Sequence, residues 1–265
     1  MKSEARRTPP EESPGSVPAL DRTLDILETL SDRPKGLTLS DLSSHLGIPK
    51  NAVFRITQTL MARGYLSRDA ETMAFRLTGQ WLKLATPRLG GMSLAALARP
   101  AMTALRDATE ETVQLGVLCG AEGTIIEQVE GTQSLRIVVD LGRHFLLYNN
   151  APGKLLLAHL PEPQREQRLS KIDFVPCTPK TITDPAELRK DCERILSQGY
   201  SVDHAESNEG IHCIAAPVRN DVGEVMAAMW ISGPAKRLPK SRFREMGDQV
   251  KAAAAQASQQ IARMG

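Results

Sequence analysis

The segment 39–60 constrains the fold of this chain more than any other. It holds two short apolar-patterned stretches separated by Gly47, Ile48 and Pro49, which predicts two helices joined by a tight turn. Four residues of the second helix recur at helical spacing and are expected to face inward: Val53, Ile56, Thr57 and Leu60. The outer face is then left to Asn51, Arg55, Gln58, Thr59 and Ala62. This pattern is typical of a helix-turn-helix whose second helix enters the major groove of DNA.

Flanking residues extend the motif into a winged helix. A preceding helix is indicated by an apolar stripe of Leu20, Leu24, Leu27 and Leu30. Ser40 is placed to cap the next helix with its hydroxyl group, and Gly47 to end that helix in the left-handed conformation. Residues 65–77 alternate in polarity around a polar turn, which predicts two short strands.

The distribution of charge supports DNA binding better than the total charge does. The formal net charge of +2 is too small to indicate a nucleic-acid partner by itself. Between Asp41 and Asp69, however, the chain has no acidic residue, and its lysines and arginines there are Lys50, Arg55, Arg63 and Arg68. This interval predicts a basic surface centred on the second helix, with a chance gap in the acidic residues as the alternative.

Four segments are predicted along the chain of 265 residues. Proline-rich residues 1–17 are expected to form a disordered tail, residues 18–79 a winged helix, residues 80–98 a linker helix and residues 99–265 a second domain. No apolar stretch approaches the roughly 18 to 20 residues that span a bilayer, so no membrane contact is expected and the chain is placed in the cytoplasm.

In the second domain, an amphipathic helix from Leu94 is followed by a mixture of strands and helices. Strands are predicted over residues 112–118, 124–129, 135–139, 200–203, 213–219 and 224–232. Further helices are predicted over residues 153–159, 185–198 and 242–264. Helices interleaved with antiparallel strands indicate an α+β domain.

Metal or catalytic chemistry is not indicated. The four cysteines form no CxxC pair. Asp203, His204, His212 and Cys213 are competent metal ligands, but they lack a compact ligand motif, so neither a metal nor another cofactor is expected. The same residues include the parts of a thiol nucleophile, but nothing in the sequence brings those parts together. Nucleophile-elbow and zinc-deaminase motifs are also missing from the sequence, so the chain is not expected to be an enzyme.

Several sequence blocks, in order and at consistent spacing, carry a family resemblance. They are residues 19–27, 36–42, 63–66, 153–154, 181–184, 199–203, 213–218 and 232–234. Together they resemble the IclR family of bacterial transcription regulators, from about Val17 to Met264. The resemblance implies an α+β protein with an N-terminal winged helix-turn-helix, a linker helix and a C-terminal GAF-like effector-binding domain. It also implies a homodimer or dimer of dimers that binds double-stranded operator DNA and a small-molecule effector.

Ten residues are predicted to contact DNA: Arg22, Ser40, Lys50, Asn51, Ala52, Phe54, Arg55, Gln58, Thr59 and Arg68. Arg55 is the first candidate for a base contact, since its guanidinium can pair with both acceptors of guanine, with a phosphate contact as the alternative. The other basic residues of this set are expected on phosphates. The chain departs from the family where Asn51 and Ala52 replace a usual hydroxyl pair and Phe54 replaces a common histidine. Its operator is therefore expected to be its own.

By the resemblance, the effector is contacted by Ala151, Pro152, Gly153, Asp203, Cys213, Trp230 and Ser232. The helix that starts near Gly153 would offer free backbone N–H groups to a carboxylate, although Pro152 lacks one. Trp230 replaces what is often a small hydroxyl residue, so it narrows the pocket or stacks on a flat ligand. The apolar alternation around Trp230 also allows this side chain to face the core.

The leading hypothesis is a transcription regulator, a repressor rather than an activator, whose operator affinity is modulated by a carboxylate or aromatic effector. The alternative is a small-molecule sensor whose winged helix contacts a protein. The basic interval favours DNA, and binding that weakens steeply with salt would distinguish DNA from a protein partner.

Overall fold

The structure is a computed structural model that describes residues 17–31, 33–81, 88–89 and 92–264. The tail predicted for residues 1–17 lies outside the described residues except for Val17, and so do residues 82–87 and 90–91 of the predicted linker. Within the described ranges, no helix is both long and apolar enough to cross a membrane.

The chain divides into two compact units, Met1–Pro87 and Arg88–Gly265. In the first unit three helices precede a two-stranded hairpin: α1 Pro18–Ser31, α2 Leu39–Leu46, α3 Lys50–Ala62, β1 Leu66–Arg68 and β2 Phe75–Leu77. The two strands pair antiparallel with Leu66 opposite Leu77. Gly47 ends α2 with a φ of 66°, a conformation that favours glycine. The predicted winged helix is therefore confirmed.

The cap predicted for α2 is wrong. Thr38, and not Ser40, caps this helix: its hydroxyl accepts a hydrogen bond from the Asp41 N–H at 3.3 Å, and the Asp41 carboxylate accepts one from the Thr38 N–H at 3.1 Å. This reciprocal capping box places Ser40 within the first turn of the helix, where its side chain is exposed.

The apolar stripe predicted for α1 is only partly buried. Leu30 lies in the core of the first unit, together with Ile26, which is fully buried. Leu20 and Leu24 are instead 56% and 48% exposed. The buried face of α1 therefore runs through its second half, and the apolar residues near its start remain open to solvent.

The second unit is built on one six-stranded antiparallel sheet in the order β7-β6-β5-β10-β9-β8. It begins with a separate short hairpin, β3 Arg88–Leu89 and β4 Met92–Ser93. The remaining elements are α4 Leu94–Thr109, β5 Thr112–Cys119, β6 Glu122–Val129, β7 His144–Phe145, α5 Ala151–Ala158, α6 Glu162–Leu169, α7 Pro185–Gln198, β8 Ser201–His204, β9 Ile211–Arg219, β10 Val225–Pro234, a 3₁₀ turn Lys240–Arg242 and α8 Phe243–Ala262. The α+β class is confirmed.

Helices cover both faces of this sheet, and β10 contributes to both layers. Ala227, Met229 and Ile231 pack in the core beneath α4 and α8. Ala228 and Trp230 pack in the opposite core, against α5 and α7. This alternation places Trp230 on the α5 side of the sheet.

Two predictions for this unit do not match the structure, and one helix was not predicted. Residues 135–139 form no strand, since Leu135 and Val138 are 65% and 50% exposed, whereas Ile137 and Val139 are half-buried and turn toward the sheet. Residues 80–98 do not form one continuous helix, because β3 and β4 lie within them. Helix α6 was not predicted, because it buries only Leu169 and so has no apolar stripe.

Candidate functional site

A cavity of about 420 Å³ opens on the α5 side of the sheet, and we call it the central cavity. Strands β5, β8, β9 and β10 contribute to its lining, together with the segment before and at the start of α5. Five of the seven predicted effector contacts line it: Pro152, Asp203, Cys213, Trp230 and Ser232. Its volume is that of an ordinary small-molecule site.

Two aromatic rings contribute to the apolar lining of the central cavity, beside aliphatic side chains. The ring centroids of Trp230 and Phe145 lie 5.6 Å apart at an interplanar angle of 69°, an edge-to-face arrangement. Phe145 lies directly over Gly123, where an added Cβ would be only 2.1 Å from the ring, so a side chain there would displace Phe145. Trp230 therefore lines the cavity and presents aromatic surface to a ligand.

A row of hydrogen-bonding side chains crosses the floor of the cavity. The Ser232 hydroxyl donates to the Gln114 Oε1 at 2.9 Å, and the Gln114 amide donates to the Gln128 Oε1 at 2.9 Å. The Cys213 Sγ lies 3.3 Å from the Ser232 Oγ. Because the Ser232 proton is directed at Gln114, Cys213 is the donor in this contact. Burial raises the pKa of the Cys213 thiol, so the sulfur remains protonated and serves as a weak polar contact rather than a nucleophile.

Asp203 brings a buried carboxyl group to the same cavity. Burial raises its pKa to about 7, although its Oδ1 accepts a hydrogen bond from the Glu206 N–H at 2.6 Å. Glu206 is itself buried and accepts two hydrogen bonds from the Lys154 Nζ, at 2.7 and 2.6 Å. The Lys154 ammonium also lies 3.0 Å from the Asp191 Oδ2. Asp203 is thus held beside a buried ion-pair cluster and near neutral pH exists in both protonation states.

The start of α5 offers fewer free N–H groups than its sequence predicted. The Gly153 N–H donates to the Asn150 side-chain oxygen at 2.8 Å, the N-cap bond of this helix. Pro152 has no N–H to offer. Ala151 and Gly153 are buried and are not among the residues that line the cavity. The Gly153 N–H is therefore satisfied within the protein, because the Asn150 side-chain oxygen occupies the position expected for a ligand oxygen.

A cation for an anionic ligand lies elsewhere, at the rim of the cavity. Arg143 lines the cavity just before β7, and its side chain is exposed. Among the described residues, its guanidinium forms no ion pair with a carboxylate. Sequence reasoning missed Arg143 because it lies in an irregular loop. It also missed Gln114, although an amide inside the apolar run of β5 is a visible signal of a polar floor.

The four possible metal ligands are divided between the two faces of the sheet. Asp203 and Cys213 face the central cavity. His204 and His212 point to the other face, where their rings pack 4.8 Å apart and next to Phe243. No cluster of three or more potential metal ligands occurs in the described part of the chain.

In the first unit, α3 presents the predicted outer surface. Val53, Thr57 and Leu60 are buried and Ile56 half-buried. The residues exposed on the opposite side are Asn51, Phe54, Arg55, Gln58, Thr59 and Ala62. In the described residues, no carboxylate pairs with Lys50 or Arg55, so both cations are available to DNA.

The remaining predicted DNA contacts have different surroundings. Ala52 is half-buried and packs against the core, and it also lines a groove together with Arg55. Arg22 lies on α1 beside a groove that Arg55 and Thr59 also line. Arg68 in the wing lies over the Phe75 ring at 5.2 Å, and its Nε donates to the Met73 carbonyl at 3.3 Å.

A winged helix with unpaired cations on its outer helix, followed by an α+β domain with a polar and aromatic cavity, defines a ligand-responsive DNA-binding protein. Two family models divide the chain in the same way. Residues 19–70 match the IclR helix-turn-helix domain, and residues 87–259 match the C-terminal domain of the bacterial transcriptional regulator IclR. The chain belongs to the IclR family, whose members regulate transcription and are not enzymes.

Known relatives resemble this chain over most of their length. The chain is 33% identical to the HTH-type transcriptional regulator BhcR of Paracoccus denitrificans, over 93% of this chain and 88% of the relative. It is 30% identical to the HTH-type transcriptional repressor AllR of Escherichia coli, over 88% of this chain and 86% of the relative. A solved IclR homolog from Microbacterium hydrocarbonoxydans, complexed with 4-hydroxybenzoate, has a TM-score of 0.79 and 25% identity, covering 92% of this chain and 98% of that chain.

Proposed function

We propose that this transcription regulator is a repressor whose operator affinity changes when a flat organic anion binds the central cavity. The observation that carries the proposal is the aromatic surface of Trp230 and Phe145 beside the polar floor at Ser232. An aromatic or conjugated ring fits such a surface because its apolar faces contact the two rings.

The negative charge and the hydroxyl group proposed for the effector follow from the side chains at the rim and on the floor of the cavity. A carboxylate on the ligand can accept two parallel hydrogen bonds from the Arg143 guanidinium. A hydroxyl on the opposite end of the ligand can bond to Gln114 or Ser232. The homolog with 4-hydroxybenzoate supports this class, since that ligand is a flat acid with a hydroxyl group.

The form that binds DNA is proposed to be a homodimer, alone or as a dimer of dimers, in the cytoplasm. The exposed apolar residues at the start of the first unit, Val17, Leu20 and Leu24, support a partner subunit at this position, because a second copy would remove them from water. The AllR relative is named a repressor, which supports repression rather than activation by this chain. Asn51, Arg55 and Gln58 are proposed to read bases.

Fluorescence of the cavity tryptophan tests the effector class. The chain has two tryptophans, so a Trp81→Phe variant leaves Trp230 as the reporter. We expect 4-hydroxybenzoate, used as the probe, to change Trp230 emission and to bind more tightly than its uncharged amide, 4-hydroxybenzamide. In Arg143→Gln, this preference for the acid should fall by about tenfold, the effect of losing one charge-assisted contact. The same titration is then repeated with other aromatic acids and with short keto acids.

The matched control is Arg136→Gln, which removes an exposed arginine of the same loop that pairs with Glu130 and does not line the cavity. This variant should keep the preference for the acid. An effector that shifts operator binding but leaves Trp230 emission unchanged would contradict the aromatic site. Operator binding that is insensitive to salt would instead support a winged helix that contacts protein.

A further inference from the structure

A second cavity lies in the same unit, beside β8, the last strand of the six-stranded sheet. Its volume is about 450 Å³, and we call it the edge pocket. Segments far apart in sequence meet there: the loop before α7, α7 itself, β8, the loop after it and the turn that leads into α8. The lining residues are Lys180, Arg194, Gln198, Tyr200, Val202, His204, Glu206, Lys240 and Phe243.

The edge pocket carries an excess of positive charge. Of its cations, Arg194 pairs with Asp191. In the described residues, however, no carboxylate forms an ion pair with Lys180 or Lys240. The Glu206 carboxylate also lines the pocket, but both of its oxygens accept hydrogen bonds from the buried Lys154 ammonium. The buried Lys154 therefore neutralises the charge of Glu206, whereas no carboxylate of the described residues neutralises the two lysines.

The surroundings of His204 reflect this charge. Its Nε2 lies 3.3 Å from the Lys180 Nζ, so a neutral imidazole accepts a hydrogen bond from the ammonium group. Partial burial lowers the pKa of His204, and the nearby charges of Lys180, His212 and Lys240 lower it further. An imidazole that resists protonation here would gain a proton more readily once an anion entered, because the anion would offset the positive field.

We propose that the edge pocket binds a small multivalent oxyanion, of the phosphate or polycarboxylate class. The ammonium groups of Lys180 and Lys240 and the guanidinium of Arg194 supply charged donors from three separate segments. The site is distinct from the central cavity. Asp203 lines the central cavity and Glu206 the edge pocket, with the Lys154 ion pair at their common wall.

Binding of inorganic pyrophosphate and of citrate to the full chain tests the proposal. Titration calorimetry is combined with NMR of the histidine ring protons, in which the His204 signal is assigned by its loss in His204→Gln. We expect saturating anion to raise the pKa of His204. The double variant Lys180→Gln with Lys240→Gln should weaken binding by about tenfold or more, because two charge-assisted contacts are lost.

The control is Lys190→Gln with Lys236→Gln, two exposed lysines that do not line the pocket. It removes the same net charge, so it accounts for anions that bind weakly to other basic surfaces, including the winged helix. Tighter binding of pyrophosphate than of citrate assigns a phosphate ligand, and the reverse order assigns a polycarboxylate. Equal binding by the two double variants, or a His204 pKa that does not change with saturating anion, would overturn the proposal whatever the effector of the central cavity is.

Discussion

At the scale of single residues, the central cavity depends on side chains whose roles come from their surroundings. Asp203 was predicted from the family pattern, but its pKa near 7 comes from burial by neighbouring elements. Trp230 was predicted with two possible orientations, and packing against Phe145 selects the one toward the cavity. The sequence identifies such residues, whereas their protonation state and side-chain orientation can be determined only from the folded structure.

The raised pKa of Asp203 predicts a pH-dependent cost to stability. Its pKa is about 7 in the fold and near 3.8 when unfolded, so between these values only the unfolded chain has lost the proton. The contribution of Asp203 to folding therefore becomes less favourable as pH rises from about 4 to 7. Asn cannot ionise and keeps an acceptor for the Glu206 N–H. The stability gained in Asp203→Asn should be about 2–3 kcal/mol larger at pH 8 than at pH 5.

Urea unfolding followed by Trp230 emission in the Trp81→Phe background measures this difference. Asp221→Asn, in the exposed turn between β9 and β10, is the control for replacing a surface carboxylate by an amide. A pH-independent effect of Asp203→Asn would mean that the Asp203 carboxyl group is not proton-linked to folding.

Arg55 and Lys50 are expected to differ in what they contribute to DNA binding. Arg55 projects from the middle of the outer face of α3, so Arg55→Ala should weaken operator binding by about 1–3 kcal/mol and relax one operator position. Lys50 begins the helix, where a phosphate contact is expected, so Lys50→Ala should weaken binding to all sequences alike. Mobility-shift titrations on operator and random DNA separate the two. Equal losses of affinity for operator and random DNA in Arg55→Ala would show that Arg55 contacts the DNA backbone rather than a base.

At the scale of elements, the periodic segments were predictable and the non-periodic ones were not. α3, β1 and β2 follow directly from apolar spacing and turn residues. α6 was not predicted because its sequence is polar. Residues 135–139 have the apolar content of a strand, but Leu135 and Val138 are exposed and only Ile137 and Val139 turn inward, in a segment that pairs with no strand in the described part of the chain. The hydrogen bond of the Gly153 N–H could not be predicted either, since only the fold shows that the Asn150 side chain accepts it.

The helix cap gives a direct test at this scale. Thr38→Ala removes the hydroxyl that caps α2 and should destabilise the winged helix by about 1 kcal/mol. Ser40→Ala is the matched control, because Ser40 lies within the helix and should have little effect. Trp81 reports on this unit, since its indole N–H donates to the Tyr65 carbonyl at 2.9 Å. Thermal unfolding monitored by Trp81 in a Trp230→Phe background compares the two. A larger destabilisation by Ser40→Ala than by Thr38→Ala would identify Ser40 as the cap of α2.

At the scale of the whole molecule, two units of different character are joined in one chain. The first has a small core and an exposed cationic helix, and the second holds the central cavity and the edge pocket, which differ in chemistry. The central cavity combines aromatic rings with a carboxyl group that is partly neutral near pH 7, whereas the edge pocket is lined by cations. Regulation of DNA binding by small molecules requires both units, because the binding surface and the ligand sites lie on different parts of the chain.

The exposed apolar start of α1 predicts how copies of the chain assemble. Replacing Leu20 and Leu24 by Glu places two charges on the surface proposed for the partner subunit, so the dimer should dissociate at micromolar concentration. Light scattering after size-exclusion chromatography measures the mass, and operator binding should weaken with it, because one winged helix makes half the contacts. Val222→Glu, at an even more exposed apolar residue in the turn before β10, is the control and should leave mass and binding unchanged. A double variant that keeps the mass of the native assembly would place the subunit interface elsewhere.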